Sequence, residues 1–187
     1  MRVVAGKHKG RSLKAVPSNS TRPTTDKVKE AVFQMLGPFF DGGSFLDLFA
    51  GSGALGIEAL SRGMSSGIFV DKHPKAIHTI KENIKLLKLD EQVEIYRADA
   101  FRALKACAKR NAKFDLILLD PPYGRVDYNK LMNQIMELEL LKEDGLIYCE
   151  YEPTEDFSDI VSSLDVVRQG DFGGTIGFTI YRKNGEG

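Results

Sequence analysis

The chain alternates between short apolar runs and longer segments in which apolar residues recur at helical spacing. The apolar runs, which predict strands of a sheet, are 45–49, 66–72, 93–98, 114–119 and 146–151. Residues 114–119 are apolar on both faces, as expected of a central strand. Because strand and helix patterns follow one another in turn, we expect an α/β fold with a mostly parallel sheet and helices on both of its faces.

The helical segments show where the crossover helices lie. One helix is predicted over 54–62, with Gly63 in the position of a left-handed cap, and another follows the run 93–98 and continues to about Arg110. Pro74 opens a helix at a position where its missing N–H is tolerated. The buried face of this helix is marked by Ile77, Ile80, Ile84 and Leu87. A further helix is predicted before the strand at 146–151, and its buried face is marked by Tyr128, Leu131, Met132, Ile135 and Met136.

The C-terminal part of the chain predicts a hairpin. Residues 166–169 and 177–182 have strand composition and are separated by glycine-rich residues 170–174. A turn at residues 143–145 leads into the fifth strand at 146–151. With the antiparallel hairpin, the predicted sheet has seven strands.

The N-terminal part predicts a small β-hairpin and helix appendage. The first residues contain short β-like pieces around glycines. Thr24 or Thr25 can then cap a helix that runs to about Leu36. We therefore expect a β extension at residues 1–22 and one main α/β domain at residues 23–187.

Charge is distributed unevenly, although the formal net charge is zero. Residues 1–25 contain six basic and no acidic residues, so the rest of the chain has a net charge of −6. These basic residues are Arg2, Lys7, Lys9, Arg11, Lys14 and Arg22. A basic segment on an acidic body fits an appendage that binds a polyanion, and a solvated basic tail is the alternative that charge alone leaves open.

Length and composition restrict the class of protein. A chain of 187 residues with 42% hydrophobic residues can bury the core of one α/β domain. The apolar runs are far shorter than the roughly 20 residues of a membrane span, and the N-terminus lacks a signal-peptide pattern, so we expect a cytoplasmic protein without membrane contacts. Cys107 and Cys149 stand apart and the histidines form no ligand pattern, so we expect no disulfide and no metal. Composition does not indicate the oligomeric state.

A glycine-rich turn follows the first predicted strand and opens the next helix. Gly51 and Gly53 allow a ligand to approach the backbone, and Gly56 permits close packing of the helix on the sheet. Asp71, about 20 residues farther on at the end of the second strand, is placed to accept hydrogen bonds from ribose hydroxyls. The pattern predicts a nucleoside-binding site, against the alternative of a turn that only connects two elements.

Two further aspartates distinguish between nucleoside cofactors. A dinucleotide would place its pyrophosphate at the helix N-terminus, where the Asp47 carboxylate would repel it. The same carboxylate can attract the amino group or sulfonium of S-adenosylmethionine, and Asp99 is placed to accept a hydrogen bond from the adenine amino group. Each aspartate could instead be an ordinary strand-end or cap residue. The candidate cofactor contacts are Asp47, Phe49, Ala50, Gly51, Ser52, Gly53, Gly56, Asp71, Lys72, Asp99 and Ala100.

The motif Asp120-Pro121-Pro122-Tyr123 follows the fourth strand, at the sheet edge where open α/β folds bind ligands. Consecutive prolines keep the backbone extended. The Asp120 carboxylate and the Pro121 carbonyl can each accept one hydrogen of a planar amino group, which weakens delocalisation of the nitrogen lone pair into the ring. Tyr123 offers a ring on which a flipped base can stack. We predict catalysis at these four residues, with a merely rigid loop as the alternative.

With this motif the chain resembles the class I methyltransferases that methylate amino groups. Further stretches resemble the RsmD family of small-subunit (16S) ribosomal RNA guanine-N2 methyltransferases, and this resemblance covers nearly the whole chain. The stretches that carry it are 2–6, 9–11, 22–24, 28–33, 49–53 and 56–59. The resemblance implies a Rossmann-like fold, S-adenosylmethionine as cofactor, and ribosomal RNA or the assembling small subunit as partner.

We therefore expect direct methyl transfer from S-adenosylmethionine to an exocyclic amine of an unpaired or flipped base. Guanine rests on the resemblance alone, because adenine-N6 enzymes that act on DNA or RNA can share the motif. An NAD-dependent dehydrogenase would use the glycine turn and Asp71 but leaves 120–123 without a role. A non-enzymatic RNA-binding module would keep the fold without turnover. Residues 1–22 would hold RNA phosphates without reading sequence.

Overall fold

A computed structural model describes residues 1–17, 24–155 and 162–185. The strands are β1 (Ser44–Asp47), β2 (Ser66–Asp71), β3 (Val93–Arg97), β4 (Phe114–Leu119), β5 (Leu141–Tyr151), β6 (Leu164–Phe172) and β7 (Ile176–Lys183). The α-helices are α1 (Asp26–Leu36), α2 (Ala54–Ser61), α3 (Pro74–Leu86), α4 (Ala100–Lys109) and α5 (Tyr128–Glu137). A short 3₁₀ helix at Asp90–Gln92 precedes β3.

The strands form one sheet in the order β3-β2-β1-β4-β5-β7-β6. Strands β1 to β5 pair in parallel, and β7 is antiparallel to both of its neighbours. The chain moves outward from β1 to β3 and then returns to β4, so a crevice forms where the strand order reverses, at the carboxyl ends of β1 and β4. The predicted mostly parallel sheet of seven strands with a terminal hairpin is confirmed.

In strand β4 the four residues 116–119 are all apolar, and their packing shows why. Leu116 and Leu118 belong to the buried cluster that includes α1, α2 and α3, whereas Ile117 and Leu119 belong to the cluster that includes α4 and α5. Successive strand residues point to opposite faces, so a strand covered on both faces needs apolar residues throughout. Within the described residues, no helix is long and apolar enough to cross a membrane.

The last three strands are longer than predicted. Leu141 already pairs with Phe114, and the register then shifts so that Leu146 pairs with Leu116. Asp144 has a φ of 62° at this irregularity. The residues predicted as a turn before β5 are therefore an irregular part of the strand itself. Likewise, residues 170–172 continue β6, because the hairpin turn needs only residues 173–175.

The N-terminal residues form a hairpin, as predicted. Arg2 and Ser12 form an antiparallel bridge, and the N–H of Val3 donates to the Arg11 carbonyl at 2.9 Å. Of the two expected caps, Thr25 is the one observed, and its hydroxyl accepts from the N–H of Val28 at 3.2 Å. The boundary predicted at residues 22 and 23 lies outside the described residues.

A buried cluster of charges joins the hairpin to the α/β domain. Glu58 of α2 accepts from the N–H of Val4 at 2.7 Å and pairs with Lys29 at 3.5 Å and Arg62 at 3.2 Å. The side chains of Lys29, Glu58 and Arg62 are fully buried. A buried carboxylate is tolerated when its charge and lone pairs are all partnered, and this one ties the first strand of the hairpin to α2 through the N–H of Val4.

Candidate active site

Four aspartates lie along the carboxyl edge of neighbouring parallel strands. Asp47 and Asp71 end β1 and β2, Asp99 follows β3, and Asp120 follows β4. These strands are adjacent in the order β3-β2-β1-β4, so the sheet itself brings the four carboxylates to one edge. Electrostatics reflects the proximity, since the charges of Asp120 and Asp71 both help to raise the pKa of Asp47.

The glycine-rich turn connects β1 to α2. The N–H of Ala50 donates to the Val70 carbonyl at 2.9 Å, and that of Gly53 to the Ala50 carbonyl at 2.8 Å. Gly51 and Gly53 have φ values of 57° and 86°, which favour glycine. A methyl group added at Gly51 would meet no protein atom within 4 Å, so the turn faces open space there. The arrangement leaves room for a ligand to approach the backbone.

Gly56 packs α2 directly on the sheet. A methyl group added there would lie 2.4 Å from the ring of Phe69 and 2.6 Å from that of Phe45. These two rings meet edge to face, with centroids 5.3 Å apart. Only glycine fits at this point, and the close packing sets the position of the turn above it.

Asp71 joins the glycine turn to the loop after β2. Its Oδ2 accepts from the N–H of Gly51 at 2.9 Å and its Oδ1 from the N–H of His73 at 2.9 Å. A carboxylate offers about four lone-pair positions, so both oxygens keep capacity for ribose hydroxyls. The side chain of the next residue, Lys72, is exposed at the same edge.

Asp99 is the N-cap of α4. Its Oδ2 accepts from the N–H groups of Phe101 at 3.1 Å and Arg102 at 3.3 Å. The cap role considered as an alternative for this residue is therefore present in the structure. Contact with an adenine amino group stays a prediction, which the second carboxylate oxygen can serve. Ala100, the first residue of α4, is buried.

Asp47 is the most deeply buried of the four aspartates. It is 2% exposed, and its Oδ2 accepts from the N–H of Gly56 at 3.3 Å. Burial, followed by repulsion from Asp120, raises the pKa of Asp47 to about 8. A cationic group bound nearby would favour the ionised form, so the site is suited to a ligand with an ammonium or sulfonium charge. Phe49 is partly buried beyond it.

The Asp-Pro-Pro-Tyr motif turns away from the end of β4. Pro121 is buried, whereas Pro122 and Tyr123 are exposed, with 37% of Tyr123 accessible. The N–H of Arg125 donates to the Pro122 carbonyl at 3.4 Å, which closes the turn. The Asp120 carboxylate therefore lies at the carboxyl end of β4, and the exposed ring of Tyr123 lies farther along the turn.

Glu150 of β5 is a site residue that was not predicted. It is 4% exposed, and its carboxyl group is hydrogen-bonded to that of Asp120. Burial and then the charge of Asp120 raise the pKa of Glu150 to about 10. The sequence carried a usable signal, because an acidic residue within the otherwise apolar run 146–151 needs a partner if that run is buried.

The described basic residues of the N-terminal segment differ in their surroundings. The side chain of Lys14 forms an ion pair with Glu82 at 3.5 Å, and its backbone N–H donates a hydrogen bond to Asn83. The side-chain amide of Asn83 also donates to the Ser52 carbonyl, in the glycine turn, at 2.9 Å. Arg2 pairs with Asp26 at 3.4 Å. Of the remaining side chains, those of Lys7, Lys9 and Arg11 are exposed, and Arg22 lies outside the described residues.

Lys7 and Arg11 lie at the other end of the helices from the glycine turn. The N–H of Lys7 donates to the carbonyl of Ser61 at 2.8 Å, and the Arg11 guanidinium donates to that of Leu86 at 3.3 Å. These carbonyls belong to the last residues of α2 and α3. In the part of the chain that the structure describes, no group of three or more His, Cys, Asp or Glu could hold a metal ion.

Comparisons with known proteins agree on one family. The model of the family described as "Conserved hypothetical protein 95" matches residues 1–182. The chain is 53% identical to "Putative rRNA methyltransferase YlbH" of Bacillus subtilis, over 99% of this chain and all of that protein. It is 36% identical to "Ribosomal RNA small subunit methyltransferase D" of Haemophilus influenzae, over 81% of this chain and 79% of that protein. Among solved structures, "Putative methyltransferase yhhF" from Escherichia coli superposes with a TM-score of 0.84 and 27% identity, over 100% and 99% of the two chains.

Proposed function

The chain belongs to the conserved hypothetical protein 95 family, the RsmD family that its motifs resemble, and from that premise we propose that it is an S-adenosylmethionine-dependent methyltransferase of ribosomal RNA. The target in this proposal is an exocyclic base amine, namely N2 of a guanine in small-subunit ribosomal RNA. Two relatives named as ribosomal RNA methyltransferases support the substrate class.

One observation carries the chemical part of the proposal. The amine-accepting groups at Asp120 and Pro121 follow β4, and the glycine turn follows β1, its neighbour in the sheet. An amine held at the first site would therefore face a nucleoside held at the second. A dehydrogenase would leave the Asp-Pro-Pro-Tyr motif without a role.

The residues of the crevice fit S-adenosylmethionine. The open space above Gly51 can receive the nucleoside, Asp71 can accept from ribose hydroxyls, and the buried Asp47 can pair with the methionyl ammonium group. Asp99 and the neighbouring backbone would contact the adenine. When bound, the cofactor supplies a methyl group made electrophilic by its sulfonium.

The chain's own residues make the amine reactive. Asp120 and Pro121 accept its two hydrogens and thereby direct the nitrogen lone pair out of the ring plane. With the cofactor held by the crevice residues, this lone pair would attack the methyl carbon and the sulfur would keep the electrons of the broken carbon–sulfur bond, which leaves the nitrogen positive. The positive nitrogen then loses a proton, which Asp120 can accept. Positioning and electrostatics provide most of the acceleration, and no covalent enzyme intermediate is needed.

RNA would be held by charge outside this pocket. The target base must be unpaired or flipped to reach the crevice, where Tyr123 can stack on it at about 1 to 3 kcal/mol per base. We assign residues 1–22 as a basic RNA-binding extension, whose side chains contact phosphates without reading sequence. The exposed Lys7 and Arg11 lie far enough from the crevice to engage RNA beyond the target nucleotide.

Methyl transfer to small ribosomal subunits and to free 16S RNA from a strain lacking the protein tests this function. Labelled methyl groups should appear on one guanine as N2-methylguanosine after nuclease digestion and mapping. N6-methyladenosine would instead assign the adenine alternative, and transfer to neither RNA would contradict the proposal. Ligand-induced shifts in melting temperature with S-adenosylhomocysteine, but not with NAD, should exclude the dehydrogenase.

A further inference from the structure

Glu150 is placed to act on the side chain of Asp120 from behind the crevice. Its neighbour Cys149 is in register with Leu119, the residue before Asp120, so the sheet sets the two acidic residues side by side on adjacent strands. The Glu150 carboxyl is hydrogen-bonded to that of Asp120. Glu150 itself is buried, whereas Asp120 is partly exposed at the crevice. Only Asp120 is thus in a position to meet substrate.

The remaining contacts hold Glu150 in one position. The hydroxyl of Tyr148, on the same strand, donates to its Oε1 at 3.4 Å, and the hydroxyl of Tyr128, from α5, donates to its backbone carbonyl at 3.3 Å. Among the described residues, each buried side-chain nitrogen and oxygen has a hydrogen-bond partner. The carboxyl pair therefore belongs to a satisfied network, which favours a single geometry.

Glu150 is buried and in contact with Asp120, so the two carboxyl groups cannot both be ionised without a large cost, and one of them holds a proton. Burial favours the neutral form of Glu150, and the charge of Asp120 strengthens that preference. The hydrogen bond from Glu150 opposes the rise that burial causes in the pKa of Asp120. The other titratable groups around the pair are Asp47, Tyr128, Tyr148 and Cys149. Burial raises the pKa of each of these four, so the tyrosines and the cysteine stay neutral near pH 7.

We propose that Glu150 is a positioning residue that donates its carboxyl hydrogen to Asp120, keeping Asp120 ionised and turning its other oxygen toward the substrate amine. The inference rests on the proposed function, because it assigns Glu150 to the reaction at Asp120. Without this donor, Asp120 would lose both its orientation and the stabilisation of its charge. The effect should appear in the chemical step and not in cofactor binding, since Glu150 does not reach the glycine turn through any contact described.

The comparison of Glu150→Gln with Glu150→Ala tests the role. An amide N–H can replace the donated carboxyl hydrogen, so Glu150→Gln should keep the single-turnover rate within about three-fold of the wild type. Glu150→Ala should lower that rate by roughly 10- to 100-fold at saturating cofactor and RNA, the scale of losing a partner that orients a reacting group. Affinity for S-adenosylhomocysteine should be unchanged in both. Glu152→Ala, an exposed neighbour, is the matched control and should resemble the wild type.

The pH profile separates positioning from a structural role. Because the pKa of Glu150 is raised by burial and by the charge of Asp120, the wild-type rate should fall at alkaline pH as Glu150 ionises, whereas Glu150→Gln should lack that limb. Ionisation of the RNA affects both proteins equally, so the difference between the two profiles is the readout. Identical profiles, or a Glu150→Gln rate as low as that of Glu150→Ala, would overturn the inference.

An infrared measurement tests whether Glu150 is protonated, as the proposed hydrogen bond to Asp120 requires, and it does not depend on turnover. The difference spectrum of wild type minus Glu150→Gln at pH 7 should contain the carbonyl band of a protonated carboxyl group, and its absence would refute the assignment. Failure of the wild type to methylate any RNA while this band is present would count against the proposed function alone. If Glu150→Ala does not fold, the Glu150→Gln profile and the infrared band remain decisive.

Discussion

Asp47 is the residue whose ionisation should respond most directly to the cofactor. Its pKa of about 8 means that most molecules hold it neutral at pH 7. A bound ammonium group would lower that pKa, so binding of S-adenosylhomocysteine at pH 7 should release close to one proton. Calorimetry in buffers of different ionisation enthalpy measures this release. Asp47→Asn should abolish it and weaken binding, whereas the exposed Asp41→Asn should change neither.

The same residue should make stability depend on pH. The folded pKa of Asp47, about 8, lies above its ordinary value of 3.8, so its contribution to folding is present at low pH and is lost as the pH rises through 8. Asp47→Asn has no such loss. The variant should therefore melt at a higher temperature than the wild type at pH 9, and this difference in melting temperature should be smaller at pH 5. An equal difference at both pH values would show that Asp47 does not titrate in this range.

At the level of residues, the sequence identifies the carboxylates but not their states. Asp47, Asp71 and Asp120 stand at strand ends that a pattern of apolar runs can locate. Asp71 also accepts a hydrogen bond from the N–H of Gly51, and Asp99 caps α4. Both contacts depend on backbone geometry, which the spacing of residues in the sequence does not reveal. Glu150 was missed because its importance comes from the strand register that sets it beside Asp120.

At the level of elements, the docking of the N-terminal hairpin on α2 is specific. Gly6 has a φ of 85°, and a methyl group there would lie 1.9 Å from the Ser61 carbonyl oxygen. Gly10 has nearly the same φ, 84°, but no atom lies within 4 Å of such a group. Both Gly→Ala changes strain the backbone by about 1 kcal/mol or more, and only Gly6→Ala adds a clash.

Gly6→Ala should therefore separate hairpin docking from the cofactor pocket. We expect its melting temperature and RNA affinity to fall clearly below those of Gly10→Ala, because the hairpin can no longer lie on α2. Affinity for S-adenosylhomocysteine should remain near that of the wild type. Equal behaviour of the two variants would mean that the contact with Ser61 does not hold the segment.

Elements whose cause is local were predicted well, and those set by distant partners were not. Thr25 caps α1 and Pro74 begins α3 through their own backbone chemistry. The early start of β5 at Leu141 depends on pairing with Phe114, and the burial of Lys29 depends on its ion pair with Glu58 of α2. The helical or strand periodicity of the sequence does not show which distant residues make these contacts.

At the level of the whole molecule, we expect RNA binding and cofactor binding to involve different regions of the protein. Replacing Lys7, Lys9 and Arg11 with Gln should weaken RNA binding and flatten its dependence on salt, because fewer counterions are released. Replacing Lys105, Lys109 and Lys113, exposed residues of α4 and the turn after it, provides a control of equal charge. Cofactor affinity should hardly change in either triple variant. An unaltered salt slope for the first triple variant would show that the segment is a solvated tail.

The overall architecture was the most predictable property, because alternation of strand and helix leaves few ways to cover both faces of a parallel sheet. The positions of the basic residues were not predictable to the same degree. They are neighbours in sequence, but the hairpin spreads them from the glycine turn to the far ends of α2 and α3.

The central claim is that Asp120 and its motif orient a base amine for methyl transfer, and single-turnover transfer at saturating cofactor tests it directly. With RNA concentration varied, Asp120→Ala should lower the rate by roughly 100-fold or more while S-adenosylhomocysteine still binds. Tyr123→Ala should weaken RNA engagement as well as the rate, and Tyr123→Phe should keep most activity because it keeps a ring. Transfer by Asp120→Ala at a rate near that of the wild type would contradict the account, since another acceptor in the crevice would then have to orient the amine.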